Sequence, residues 1–260
     1  MATPPTIPIL DAHVHLWPAD ELDSLAWIQP DTPLHAQFSA DEYLAATAST
    51  AGTLRGCIFV EADRAGRDPA DWSAPLAELA FLARVAAGAP RPGQGHAAAD
   101  RALCRAIVPW APVAAGPAKL AEYLRRAREA AGPAWRRIRG VRYLLQDQPA
   151  GAMLAQDFVD GLRLLGRAGL VFDLGVDQHR RGRAQLEEAV EMIDRAHDGV
   201  PEDEKVVFIV GTLLSCRCLP RPCRQQNECP RATAPLSPWG RGVWQVLSLD
   251  TAGDWLSYLG

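Results

Sequence analysis

Asp11, His13 and His15 fall on every second position of IPILDAHVHLW, residues 7–17. Alternate residues of a β-strand share one face. The spacing therefore predicts three polar side chains on one side, with Ala12, Val14 and Leu16 on the other. Two neutral imidazoles side by side at a strand end can grip a divalent ion, zinc first among them. They could instead polarise a carbonyl group directly. The same pattern also describes a polar strand face turned to solvent. The apolar opening before it and the β/α pattern after it favour the site reading. His13 and His15 are thus the candidate catalytic and metal-binding pair.

Other residues could complete such a site. Glu61 and Asp63 stand at the end of the apolar run 54–61 (LRGCIFVE). Arg142, in IRGVRYLL at 138–145, offers a guanidinium for two-pronged contact with a carboxylate or polyol; a structural ion pair is the competing reading. Tyr143 and Gln146 could line a pocket, and Asp173 is a strand carboxylate that needs a partner if buried. His179 follows a strand and is a candidate third metal ligand, or part of a basic surface loop. His35 could reach the site mouth. His197 ends a helix, where a cation favours the dipole, and His96 is expected in solvent.

These residues need elements to hold them. Strands are expected at 54–61, 102–110, 138–145, 170–176 and 205–210, besides the first. Helices are expected at 39–47, 71–87, 117–131, 152–168 and 183–197. Pro117 suits a first helical turn, and Gly88 and Gly132 suit helix stops. Residues 88–100, rich in Gly, Pro and Ala, read as a surface insertion. Strands alternating with helices of this length imply parallel βαβ units. Six units end at residue 210. At that pace an eight-unit barrel would need roughly 280 residues, and the sequence has 260.

Bulk properties agree with a folded α/β protein. Hydrophobic residues make up 48% and charged residues 22% of the chain. The net charge of −4 gives no basic field for nucleic acid. No apolar run is long enough to cross a bilayer. The opening residues lack a secretory pattern, so a cytoplasmic protein with reduced thiols is expected. Cys57 and Cys104 read as small core residues.

Residues 211–260 read differently. They hold Cys216, Cys218, Cys223 and Cys229, no lysine, and prolines at 220, 222, 230, 235 and 238. Structural zinc sites usually use C-x₂-C pairs, and this spacing has none. Trp244 opens a possible strand, 244–249, and a stub of helix could follow. The expectation is two regions: a β/α barrel portion at 1–210, and an irregular tail at 211–260 foreign to the barrel. A retained intron or a shifted reading frame would produce such a tail.

DAHVHLW at 11–17, FVEADR at 59–64, GVRYLLQ at 140–146 and FDLGV at 172–176 together resemble the amidohydrolase-related (amidohydrolase 2) family. The stretch 11–47 is most similar to fungal hydrolases of the L-rhamnono-γ-lactonase type. The resemblance covers about residues 7–210. It implies a distorted (β/α)₈ barrel, here incomplete, with about six units and the site at the C-terminal strand ends. It implies a hydrolase of small compounds such as sugar lactones, or in some branches a decarboxylase. His13 and His15 match the family's first-strand pair. Where the family has a histidine after a strand like VVFIV, this chain has Gly211 and Thr212. Where the family has an aspartate in a late Ser-Asp-Trp setting, Gly253-Asp254-Trp255 carries a faint echo, so Asp254 is the candidate base. Some family members work without a metal. A remnant that no longer catalyses is the reading from a different class; opening a barrel would expose two strand edges and lower solubility.

Overall fold

The computed structural model describes residues 7–25, 27–65, 71–210 and 243–245. Its strands are β1 (Ile9–Val14), β2 (Leu54–Val60), β3 (Cys104–Val108), β4 (Gly140–Arg142), β5 (Val171–Leu174), β6 (Phe208–Val210) and β7 (Val243–Gln245). Every neighbouring pair runs parallel, in the sheet orders β1-β2-β3 and β4-β5-β6-β7. Isolated parallel bridges, Ile107 to Ile138 and Trp110 to Arg142, link the two sheets. Strand order therefore follows chain order, as successive right-handed βα units produce. Among the described residues the strands form these two sheets and no closed barrel.

The helices are α1 (Ala40–Ala46), α2 (Ser73–Ala87), α3 (Gly116–Ala131), α4 (Gln156–Arg167), α5 (Gln178–Arg181) and α6 (Arg183–His197). The sequence signals act where expected. Pro117 lies in the first turn of α3, and Gly88 caps α2 in the left-handed region at φ 66°. At the start of α1 the Glu42 carboxylate accepts the Ser39 N–H at 2.8 Å, half of a capping box. β7 begins one residue before the expected 244–249 strand. The rest of the 211–260 region lies outside the described residues, including its cysteines.

The helices α2, α3 and α4 pack against one another in sequence. Phe59, Ile107, Val141, Phe172 and Phe208 bring the strands into the core. Phe158 of α4 meets Phe172 edge to face at 5.9 Å, and Phe172 meets Phe208 at 6.1 Å. Each such ring contributes roughly 1.5–3 kcal/mol by burial.

One expectation fails here, at His96. Residues 89–93 and 97–99 are exposed, as a surface insertion should be, but the segment is tied down. Gln94 is buried, its carbonyl accepts Ser39 Oγ at 2.7 Å, and its amide reaches Asp20 at 3.2 Å. His96 is buried beside Phe81 rather than solvated, with centroids 5.9 Å apart. The Gly and Pro content marked tight turns, and turns can pack as closely as helices when side chains satisfy their backbone.

Candidate active site at the C-terminal strand ends

The first strand delivers both imidazoles to one point. His13 Nε2 and His15 Nε2 lie 3.2 Å apart, with the rings edge to face. Asp11 does not join them. Its carboxylate accepts Tyr43 Oη at 3.2 Å and the His13 N–H at 3.3 Å. The β1–β2 register shifts between Asp11 and Val14, which interrupts the simple alternation that the sequence suggested.

Hydrogen-bond partners fix the protons. A carbonyl only accepts, so the Val60 carbonyl at 3.2 Å takes the Nδ1–H of His15. His15 Nε2 is then bare in the neutral ring. A guanidinium only donates, so Arg142 Nη1, 3.4 Å from His13 Nε2, makes that nitrogen an acceptor. Burial, His15 and Arg142 together lower the pKa of His13 to about 3. Burial, helped by Arg142 and opposed by the Val60 carbonyl, lowers that of His15. Two acceptor nitrogens thus meet, that of His13 taken by Arg142 and that of His15 open to a donor.

Arg142 ends β4 and is the hub of the site. Its Nε lies 3.8 Å from Glu61 Oε1 and 3.9 Å from Asp173 Oδ2, too long for hydrogen bonds. That buried Nε has no hydrogen-bond partner among the described residues. Asp173 is the register partner of Arg142 on β5 and is 4% exposed. Burial raises its pKa to about 6, with Glu61 pushing the same way and Arg142 opposing. Glu61 follows β2. Its Oε2 accepts the Asp63 N–H at 2.8 Å, and Asp63 takes φ 57° to present that N–H.

Behind Glu61 lies a second buried pair that the sequence reading missed. Glu78 of α2 accepts the Ala62 N–H at 2.7 Å and Arg64 Nε at 3.3 Å. Arg64 also meets Glu21 at 3.2 Å and Ser24 Oγ at 2.6 Å. The available signal was an acid inside the apolar run LAELAFL. Burial pushes the Glu78 carboxyl up, against the pull of Arg64.

The remaining candidates are spread out. Gln146 is half-buried; its Oε1 and Arg142 Nη2 flank Gly175, each 3.8 Å from where a Cβ would sit. His35 occupies a turn closed onto Thr32. Among the described residues it makes no hydrogen bond to His13, His15, Glu61 or Arg142. Tyr143 packs against Trp110 and Phe158. His197, the last residue of α6, donates from Nε2 to the Val206 carbonyl at 2.8 Å and so ties the helix end to the chain before β6. His179 lies on α5, and its side chain is outside the described residues, as is Asp254. Cys57 and Cys104 are buried in the core, as expected.

Two nitrogens sharing a tetrahedral ion at 2.0–2.1 Å stand about 3.3 Å apart, so the histidine spacing suits two zinc ligands. The donor set stops there. No group of three or more His, Cys, Asp or Glu able to hold a metal exists among the described residues. The Arg142 guanidinium also occupies the His13 nitrogen that would ligate. The described residues thus do not complete a metal site.

No protein-family model matches the chain. It is 29% identical over 191 residues to an L-rhamnono-γ-lactonase of Scheffersomyces stipitis, covering 72% of this chain and 56% of that protein. An amidohydrolase from Burkholderia multivorans, crystallised with zinc, is 25% identical with a TM-score of 0.52. That match covers 78% of this chain and 57% of the other. The same description with bound HEPES gives 24% identity and a TM-score of 0.51, a likeness of fold, over 78% and 56% of the two chains. The chain spans a little over half the length of these relatives. No helix among the described residues is long and apolar enough to cross a membrane. Sequence and fold agree in a likeness to amidohydrolase-related proteins, the L-rhamnono-γ-lactonase among them.

Proposed function

We propose that this protein is a hydrolase that opens a small sugar-derived lactone by attack of water on the ring carbonyl. The observation that carries this reading is Arg142, held 3.4 Å from His13 Nε2 and between two buried carboxylates. Its unpartnered Nε offers a donor to a carbonyl oxygen that gains charge in the transition state. The bare Nε2 of His15 suits a hydrogen of a water or a sugar hydroxyl. Glu61 holds the guanidinium in place, and Gln146 stands beside it to meet a polyol. In this reading the strands are the first part of an incomplete (β/α)₈ ring, its mouth at the C-terminal strand ends. The substrate is a small molecule, with neither nucleic acid nor membrane as partner, and the protein works in the cytoplasm.

Asp254 remains the base that the family resemblance suggests, and His35 a residue of the mouth. A second reading places zinc between His13 and His15, with His179 as third ligand. The 3.2 Å nitrogen separation favours it.

The test is a hydrolysis assay of the purified chain on sugar γ-lactones, with and without added zinc, beside His13→Ala. Metal-independent turnover that His13→Ala abolishes is the expected result. Turnover only with zinc favours the second reading. Carbon dioxide release from a carboxylated substrate would instead point to a decarboxylase. No turnover by well-folded protein under any of these conditions would leave a non-catalytic remnant.

A further inference from the structure

Trp27 is the one exposed aromatic residue among the described residues, 44% open to solvent. It is nevertheless fixed. Its indole N–H donates to the Ala62 carbonyl at 2.8 Å, and its ring meets Trp17 edge to face at 5.8 Å. Trp17 is itself held by the Ala36 carbonyl at 2.8 Å and by Phe38, with centroids 5.2 Å apart. Backbone hydrogen bonds between Trp17 and Phe38 close the loop that carries Trp27. In the same loop, Ser24 accepts the Ala65 N–H on its carbonyl and Arg64 Nη1 on its Oγ. The loop is thus tied to residues 62–65, just past β2. That strand end carries the site. The Val60 carbonyl takes His15 and the Ala62 carbonyl takes Trp27, with Glu61 between them in the chain. Two residues of chain span at most about 7 Å, so imidazole and indole hang from neighbouring points.

An indole left open to water forgoes hydrophobic burial. Anchoring it leaves little freedom to lose when a ligand arrives. The face of an aromatic ring is negative and attracts hydrogens with partial positive charge. Sugar C–H groups carry such charge, because neighbouring oxygens draw electrons from each carbon. A flat, pre-set ring beside a polar site therefore suits a carbohydrate. Resting on the hydrolase reading above, we propose that Trp27 is a substrate-binding residue that stacks on the exocyclic carbons of a sugar lactone. The lactone carbonyl lies at Arg142, and the hydroxylated side chain of the ring extends outward over the indole. Trp27 thereby selects lactones that bear this side chain over the bare ring.

The experiment compares the full-length chain with Trp27→Ala and Trp27→Phe on a six-carbon sugar γ-lactone and on γ-butyrolactone, which keeps the ring and lacks the side chain. The readout is the preference for the sugar lactone, the ratio of the two kcat/KM values. Where γ-butyrolactone is not turned over, its inhibition constant takes the place of its KM. Trp27→Ala is expected to lower this preference about three- to tenfold, with the loss in KM for the sugar lactone rather than in kcat. Trp27→Phe keeps a flat ring without the N–H anchor and should lose less. Circular-dichroism melting checks each fold; if Trp27→Ala does not fold, Trp27→Leu, apolar but without a π face, decides in its place. An active wild type whose preference is unchanged in the folded variant, or is lost through kcat alone, overturns the proposal by itself. A folded wild type inactive on every lactone overturns the hydrolase reading, and this proposal with it.

Discussion

Arg142 decides the electrostatics of the site, because it is the cation that two buried carboxylates share. Removing one partner of a buried ionic group costs about 3–5 kcal/mol, since the other charges stay buried. Arg142→Met should lose stability of that order at pH 8 in denaturant unfolding. The loss should shrink at pH 5, where Asp173 can protonate. Asp173 itself has the opposite sign. Its folded pKa of about 6 lies above the ordinary 3.8. Its contribution to stability is therefore fully present below pH 4 and is lost as pH rises through 6, by about 3 kcal/mol in all. Asp173→Asn should gain on wild type between pH 4 and pH 8 by up to that amount, read from melting curves. A purely structural ion pair would make the variant less stable at pH 8.

Among the elements, α4 is held close to its neighbours. A Cβ at Gly166 would collide with the Glu204 carbonyl oxygen, and one at Gly161 would lie 2.6 Å from the Val113 carbonyl oxygen. Backbone atoms cannot swing aside as a side chain can. Alanine improves intrinsic helix propensity over glycine by about 1 kcal/mol, yet overpacking costs about 1–3 kcal/mol. Gly166→Ala should therefore destabilise, with a lower melting temperature at unchanged helix content. The buried Arg64–Glu78 pair acts at the same scale. It ties the end of β2 to α2 and to the short turn at Ala19–Ser24, and so steadies the backbone that carries Glu61.

For the whole molecule, the imidazoles and the carboxylates set opposite pH slopes. His13 is held at about 3, below its ordinary 6.5. Its contribution is present above pH 6.5 and is lost as pH falls toward 3; His15 has the same sign. Asp173 offsets part of this loss only down to about pH 4. The melting temperature should therefore drop most steeply between pH 4 and pH 3, and less so in His13→Gln. β1 adds a second whole-molecule property. Among the described residues it is the end strand of its sheet, and Ile7 before it and Ile9 and Leu10 within it are exposed. Such an edge invites pairing with another chain. Ile9→Lys should lower self-association measured by light scattering.

The sequence by itself determined the order of strands and helices, because hydrophobic period and Gly or Pro punctuation are local properties. It also marked His13 and His15, whose spacing of two places them on one face whatever surrounds them. It overreached with Asp11, since a register shift depends on the neighbouring strand. Only the tertiary structure made Arg142 a hub. Glu61 and Asp173 lie far from it along the chain, and parallel pairing alone brings them to one guanidinium. The buried states of His96, Gln94 and Glu78 were likewise settled by packing, because a residue's solvent is supplied by partners that its own segment does not encode.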